Sequence, residues 1–421
     1  MASMINTPTT EKLTASSPVK GGPRKHEFQP DIYDILTQRL RFRPVLFFAG
    51  FALGLVACVI GGRYCAGLNV YKNFHRFHKF ISPAALFYPT VSQLRAIATS
   101  GSTPSQVLVI VGGNSIFNGY GQPEQELWTT NLQGLLGSNY KVINFALPIA
   151  EPFDFGYWAA ESLLKENRRV IYVTNCFPGQ GTTPSGSQVY TYSYWDAKEK
   201  HLLMPDAARD RAVIDRIKPL PEKDRVKSEE LQTGANLDGF LWFQDLWTTV
   251  SYKGFFSVWT GLTSKSPWLA RQRYSDIKTE PMLAPDRFTS PSQLKQIFEF
   301  NREFFVENSS ASHPQFWTNF QNQIQYTVPT SVRKNCLVTL SSHAPAIVDQ
   351  MSPLRKEQER VGIACSEAAW RNAGFNCIDV EGKLTSDDFS DGRHLLASGG
   401  RKLAAVLAPQ VKQLAHSLKY D

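Results

Sequence analysis

Gln106-Val107-Leu108-Val109-Ile110-Val111-Gly112-Gly113-Asn114-Ser115 is the stretch on which the fold turns. Its five apolar residues are continuous rather than alternating, and four are β-branched. A strand with one wet face alternates, so an unbroken run predicts a strand covered on both faces, as in a parallel sheet between helices. The two glycines end that strand and allow a tight turn, and Asn114-Ser115 then puts polar groups at its carboxyl end.

The same rhythm continues downstream. Glu124 to Leu136 carries apolar residues at helical spacing, Val142 to Ala146 reads as a second strand, Phe153 to Glu166 as a helix and Val170 to Val173 as a third strand. From about Phe177 to Val332 the pattern breaks into Pro, Gly, Trp and charged residues around helical segments such as Leu237–Val250 and Ser292–Glu307, which reads as one large insertion. It resumes with a strand at Cys336–Leu340, a helix at Leu354–Arg371, a strand at Cys377–Val380 and a closing helix at Gly399–Leu418. Strands alternating with helices imply right-handed crossovers and a three-layer αβα parallel sheet, with the domain running from 106 to 421 and the insertion at 177–332.

Upstream the chain changes character. Pro44 to Gly62 is uncharged, flanked by Arg43 and Arg63, and of the length needed to cross a bilayer as a helix. A core helix of a soluble protein keeps a polar face, and this stretch has none. A long polar segment precedes it and no clear Ala-x-Ala site follows, so it reads as an uncleaved transmembrane anchor over 44–62 rather than a cleaved leader. Residues 1–43 read as a flexible tail with a short helix at Ile32–Leu40, and 63–105 as a juxtamembrane segment interleaving aromatic and basic residues. The basic residues slightly favour a cytoplasmic N-terminus, with the large domain outside the cytoplasm, periplasmic or extracellular. Gly50 and Gly54 form a GxxxG pair, which occurs by chance as readily as for helix packing.

The chain has 421 residues, 42% of them hydrophobic and 19% charged, which excludes wholesale disorder. A formal charge of +8 invites a nucleic-acid reading. No dense Lys/Arg run, zinc-ligand spacing or RNP-like motif accompanies it, so no nucleic-acid partner is expected. The six cysteines lack any CxxC or Cys/His cluster, and His75 and His78 lack a third ligand, so no metal or cofactor is expected. Cys336, Cys365 and Cys377 are close enough in sequence for one disulfide, or are isolated thiols.

In parallel α/β sheets functional groups gather at the carboxyl ends of strands. Ser115 is predicted there, and Asp391-Gly392-Arg393-His394 lies just before the last helix, with carboxylate and imidazole three residues apart. A hydroxyl becomes a useful nucleophile when a base removes its proton, and imidazole serves best when a carboxylate fixes its tautomer. The plain alternative makes Asp391 a helix cap and His394 a surface residue. His343 also follows a strand, and reads as a structural or substrate-contacting histidine, while Asp154 and Asp379 read as helix-start and strand-edge residues.

Val107 to Ser115, Asn144 to Ala150, Val173-Thr174-Asn175 and Phe389 to Leu395 resemble, in order, the sequence blocks of SGNH/GDSL hydrolases. The resemblance covers the α/β core and neither the apolar segment nor the insertion. It implies a flavodoxin-like sheet, Ser115 as nucleophile, His394 as base and Asp391 as its orienting acid. It also implies an oxyanion hole formed by the Ser115 amide, the Asn175 side chain and a second-block amide. Two departures stand out: Asn114 replaces the usual Asp of Gly-Asp-Ser, and the second block has no glycine, only Ala146 and Ala150.

The resemblance implies a serine-dependent esterase or O-acyltransferase that forms an acyl-enzyme. With a membrane anchor, the implied substrate is an acyl ester, acetyl above all, on an envelope or exported polysaccharide. The bilayer and a multi-spanning acyl donor protein are the implied partners. Trp242, Trp247, Trp259, Trp268 and Trp317 in the insertion suit a carbohydrate groove or, more simply, a subdomain core. The competing function class is a catalytically inactive binding or scaffolding protein of the envelope that keeps the fold.

Overall fold

The computed structural model describes residues 43–70, 76, 89–148, 150–178, 188–217, 221–251, 317, 320, 328–341 and 343–420. The chain divides into two units, 1–54 and 55–421, at a point inside the first helix, α1 (Pro44–Ala66). Of the first unit the described part is Arg43 and the opening turns of α1; the predicted tail and its Ile32–Leu40 helix lie outside the described residues.

Helix α1 is long and apolar enough to cross a membrane, and Val45, Leu46, Phe47, Phe48, Phe51, Leu53, Val56 and Ile60 all stand exposed on it. At 23 residues it extends about 35 Å at 1.5 Å per residue, one turn beyond the predicted span. The added turn, Arg63–Ala66, continues the helix past its apolar stretch.

In the second unit α2 (Val91–Thr99) precedes the sheet, opening with a capping box between Thr90 and Gln93. Strand β1 (Val107–Val111) leads through a one-turn helix, α3 (Ser115–Asn118), and α4 (Trp128–Leu136) to β2 (Tyr140–Asn144). Next come α5 (Gly156–Lys165) and β3 (Val170–Cys176). The stretch predicted as an insertion begins with α6 (Gln188–Glu199), α7 (Ala207–Ile217), α8 (Glu222–Leu241) and α9 (Phe243–Val250). The sheet then resumes with β4 (Cys336–Leu340), α10 (Pro345–Asp349), α11 (Pro353–Asn372), β5 (Asn376–Asp379) and α12 (Ala397–Ser417). The predicted Ser292–Glu307 helix lies outside the described residues.

All strands are parallel, in the order β2-β1-β3-β4-β5. Two cores sandwich the sheet and explain the unbroken apolar run of β1. Leu108 and Ile110 face one core with α2, α5 and α11; Val107, Val109 and Val111 face the other with α4 and α12. The result is a three-layer α/β domain, whose layers each bury an apolar face no single element could cover alone.

Several elements differ from their predicted bounds, among them β3, which runs on to Cys176, and α4, which starts only at Trp128; three other differences have a visible local cause. β2 starts at Tyr140 and leaves the sheet after Asn144, because the Asn144 carboxamide accepts the Ala146 amide and turns the chain. α5 begins at Gly156, after a turn in which Asp154 accepts from the Glu151 amide. The predicted Leu237–Val250 helix is broken at Trp242, which adopts left-handed φ of 56° between α8 and α9. All six cysteines are free thiols, so the disulfide alternative is not realised.

Candidate active site

Because β1 pairs with β2 on one side and β3 on the other, the connections leaving β1 and β3 part in opposite directions and open a crevice at the carboxyl ends of these strands. Gly113 turns the chain at that edge with φ of 99°, a value side chains rarely adopt. A Cβ there would also overlap Asn175 Oδ1, so the close approach of β1 and β3 ends depends on glycine. Asn114 then caps α3, its carboxamide accepting the Ile116 amide at 3.0 Å. This sets Ser115 as the first helical residue.

Ser115 Oγ lies 2.8 Å from His394 Nε2, across 279 residues of sequence. His394 Nδ1 lies 2.6 Å from Asp391 Oδ2. An ionised carboxylate only accepts, so Nδ1 carries the proton and the neutral ring's Nε2 is free to accept from the serine hydroxyl. The Asp391-to-His394 turn is self-organised: Asp391 Oδ1 accepts the Arg393 and His394 amides at 2.8 and 2.7 Å. Burial opposes ionisation of Asp391, but the imidazole bond and those two amides outweigh it and hold its carboxyl below the usual carboxylate range. Ser390 and Leu396 tie the turn down through Ser390 N–H to the His394 carbonyl and Leu396 N–H to the Asp388 carbonyl.

The residues suggested for an oxyanion hole are placed less uniformly. The Ser115 amide, at the head of α3, has no acceptor among the described residues and is the available donor. Asn175 lies fully buried at the end of β3, beside the Ser115 turn. Its Nδ2 donates to Asn114 Oδ1 and to Ser341 Oγ, both at 2.9 Å, so its two protons are engaged in this state. The Ala146 amide donates to Asn144 Oδ1 and the Ala150 amide to the Leu147 carbonyl, both at 3.0 Å. Both amides are engaged in the turn after β2 in this state, as the two Asn175 protons are.

Several neighbours carried no signal in the sequence. Tyr120, half-buried on the turn after α3, packs its ring 4.9 Å from that of His394. Arg76 donates to the Gly119 carbonyl at the left-handed end of α3, joining the segment that follows α1 to the helix bearing Ser115. Ser341 follows β4 and bonds Asn175, and the Ala344 amide, three residues on, donates to the Gly392 carbonyl at 2.9 Å. The loop after β4 therefore braces both halves of the site.

His343 is not the histidine that meets Ser115; it is buried, 3.6 Å from Glu359, and stacks on Phe177. Trp317 packs edge-on against Phe320 beside the core, whereas Trp242 lies between α8 and α9 and Trp247 on α9; Trp259 and Trp268 fall outside the described residues. Comparison of the chain with protein-family models, with curated proteins and with solved structures returned no significant match.

Proposed function

We propose that this chain is a membrane-anchored, serine-dependent esterase or O-acyltransferase of SGNH type. The observation that carries the reading is the continuous relay from Ser115 Oγ through the His394 ring to Asp391, at 2.8 and 2.6 Å. These distances meet the geometric condition for general-base activation of a hydroxyl. The strand order β2-β1-β3-β4-β5 is that of flavodoxin-like sheets and supports the same family reading.

In this mechanism His394 takes the Ser115 proton as Oγ attacks an ester carbonyl. The Ser115 amide, joined by Asn175 once it releases one acceptor, stabilises the oxyanion. Collapse expels the alcohol, protonated by His394, and leaves an acyl-Ser115. Water then gives hydrolysis; a sugar hydroxyl gives transfer. With α1 as anchor, an N-terminus in the cytoplasm and the domain outside, the substrate is an acylated envelope or exported polysaccharide, and a multi-spanning protein is the acyl source.

The test is reaction of the chain with a fluorophosphonate probe and with p-nitrophenyl acetate. Labelling and esterase activity are expected for the wild type and lost in Ser115→Ala and His394→Ala. Persistence of both in Ser115→Ala would remove the nucleophile assignment. One observation favours a second reading, a non-catalytic envelope binding module: the engaged amides of Ala146 and Ala150 leave the Ser115 amide as the available oxyanion donor. A wild type silent to both reagents would favour that module.

A further inference from the structure

Helix α9 is built inside out. Asp245 and Thr248 on it are fully buried and Thr249 nearly so, whereas Phe243, Trp247 and Val250 are exposed, at 48, 42 and 55%. A surface helix of a soluble domain does the reverse, turning its apolar stripe inward. The buried polar face has partners that account for it: Asp245 meets the buried Lys200 at 2.6 Å and the Thr90 hydroxyl, and Thr249 meets Gln93. Among the described residues nothing comparable accounts for the apolar face.

In sequence that face follows directly on the end of α8, where Leu237 and Phe240 are 59 and 74% exposed. Of the nine large apolar side chains exposed outside α1 among the described residues, five fall within Leu237–Val250. Such clustering marks an interaction surface, whereas scattered single residues would need no explanation.

The occupant is indicated by what lies beside it. The closing turns of α1 pack on this same helix pair: Leu246 Cδ1 meets Gly61, and the Trp242 backbone lies so close to Gly62 that a Cβ there would overlap its carbonyl oxygen. The Arg63 guanidinium sits 5.8 Å from the Trp242 ring. Gly62 and Arg63 are where the apolar run of α1 gives way to charge, which is the headgroup level of a spanning helix. Phe and Trp side chains favour that level, where their rings bury apolar area beside polar lipid groups.

We propose that the Leu237, Phe240, Phe243, Trp247 and Val250 face beds into the headgroup layer of the bilayer that α1 crosses, so that the domain lies on the membrane instead of swinging from its anchor. The placement rests on reading α1 as a span. It holds the α/β domain close to the lipid surface.

The experiment uses the full chain reconstituted into phosphatidylcholine vesicles whose acyl chains are brominated near the headgroup. Tryptophan fluorescence is expected to be quenched, and Trp247→Phe, which keeps an aromatic ring, is expected to lose part of that quenching. Phe243→Ser with Trp247→Ser is expected to lose at least as much while retaining the wild-type circular dichroism, since both side chains are exposed. Alkaline carbonate extraction separates the two claims. Release of the chain by carbonate overturns the span and the bed together. Retention with quenching unchanged in Trp247→Phe overturns the bed alone, as would a dimer in nanodiscs that the double variant dissociates.

Discussion

Asn175 and Asn114 form a reciprocal pair: the Asn114 backbone amide donates to Asn175 Oδ1 at 3.2 Å, and Asn175 Nδ2 returns a bond to Asn114 Oδ1 at 2.9 Å. One short side chain thus caps the helix that carries Ser115 and holds the Asn175 side-chain amide at the same time. Asn114→Ala removes both functions, with a capping loss of about 1 kcal/mol and a fall in kcat. Asn114→Asp keeps an acceptor for the Ile116 amide and for Asn175, so it is expected to retain stability and most of the activity. Thermal melts and p-nitrophenyl acetate kinetics check both. Equal kcat for wild type and Asn114→Ala would deny the pair any role in catalysis.

Asn175→Ala separates aiming from donation. If Asn175 supplies an oxyanion bond during turnover, the variant loses on the order of 10²-fold in kcat with KM little changed, the size seen on deleting one such donor. Ser341→Ala instead frees one Asn175 proton and removes a brace, and the Ala344 amide still holds Gly392. It is expected to cost far less than Asn175→Ala. The reverse order would mean that Ser341, not Asn175, is the catalytic contributor.

Gly113→Ala tests the turn that brings these groups together. The residue must hold φ of 99° and its Cβ would overlap Asn175 Oδ1. Strain of this kind costs about 1–3 kcal/mol, and relief requires Asn175 to move. Denaturation should report the loss of stability, and fluorophosphonate labelling of Ser115 should slow by more than the unfolded fraction explains. A variant as stable and as reactive as wild type would show that the turn is not constrained as described.

Much of the architecture was legible because the decisive elements are central. β1 and β4 are covered on both faces, so their apolar runs are unbroken and their ends sharp. β2 is an edge strand with Lys141 and Val142 half-buried, and its start at Tyr140-Lys141 carries no comparable signal. Ser115, Asp391 and His394 were legible because chemistry restricts which residue types can form a relay and topology restricts where they gather. The commitments of Asn175 were not, since they depend on Asn114 and Ser341, 61 and 166 residues away. The engagement of the Ala146 and Ala150 amides is local: an Asx-type turn at Asn144 and the Leu147 carbonyl accept from them. The inverted face of α9 is equally invisible without Lys200, since its apolar spacing alone predicts a face turned inward.

Asp391 sets an acid limit on the site. Its carboxyl is held below its unfolded value, so the stabilisation from its bonds is fully present above that unfolded value, about 3.9, and is lost as pH falls through the lower folded one. Asp391→Asn should therefore lower stability at pH 6 and converge on wild type in strong acid, as read by denaturant titration. Its effect on turnover is larger, on the order of 10⁴-fold in kcat, because an amide donor at that position favours the wrong imidazole tautomer. A pH-independent stability difference would mean that the carboxylate is not ionised in the fold.

The buried Lys200 cluster predicts a second and opposite pH dependence. Lys200 lies 2.8 Å from Asp196 and 2.6 Å from Asp245, with Asp238 at 3.6 Å and the Tyr192 hydroxyl on Asp238. One lysine cannot neutralise three buried carboxylates. Burial pushes Asp196 up to about 7, against the pull of Lys200 and with Asp245 and Asp238 reinforcing it. The folded state thus holds a proton that the unfolded chain releases near pH 4, so stability from this group falls as pH rises from about 4 to about 7 and then levels. Asp196→Asn should remove that decline and leave the protein more stable than wild type near pH 7. Lys200→Met leaves three carboxylates unpaired and should cost about 3–5 kcal/mol, loosening α6, α8 and α9 from the Thr90–Gln93 turn. Urea titrations of all three proteins at pH 5 and pH 7.5 check the sign; a wild type that gains stability between those pH values, with Asp196→Asn parallel to it, would remove Asp196 as the group that titrates.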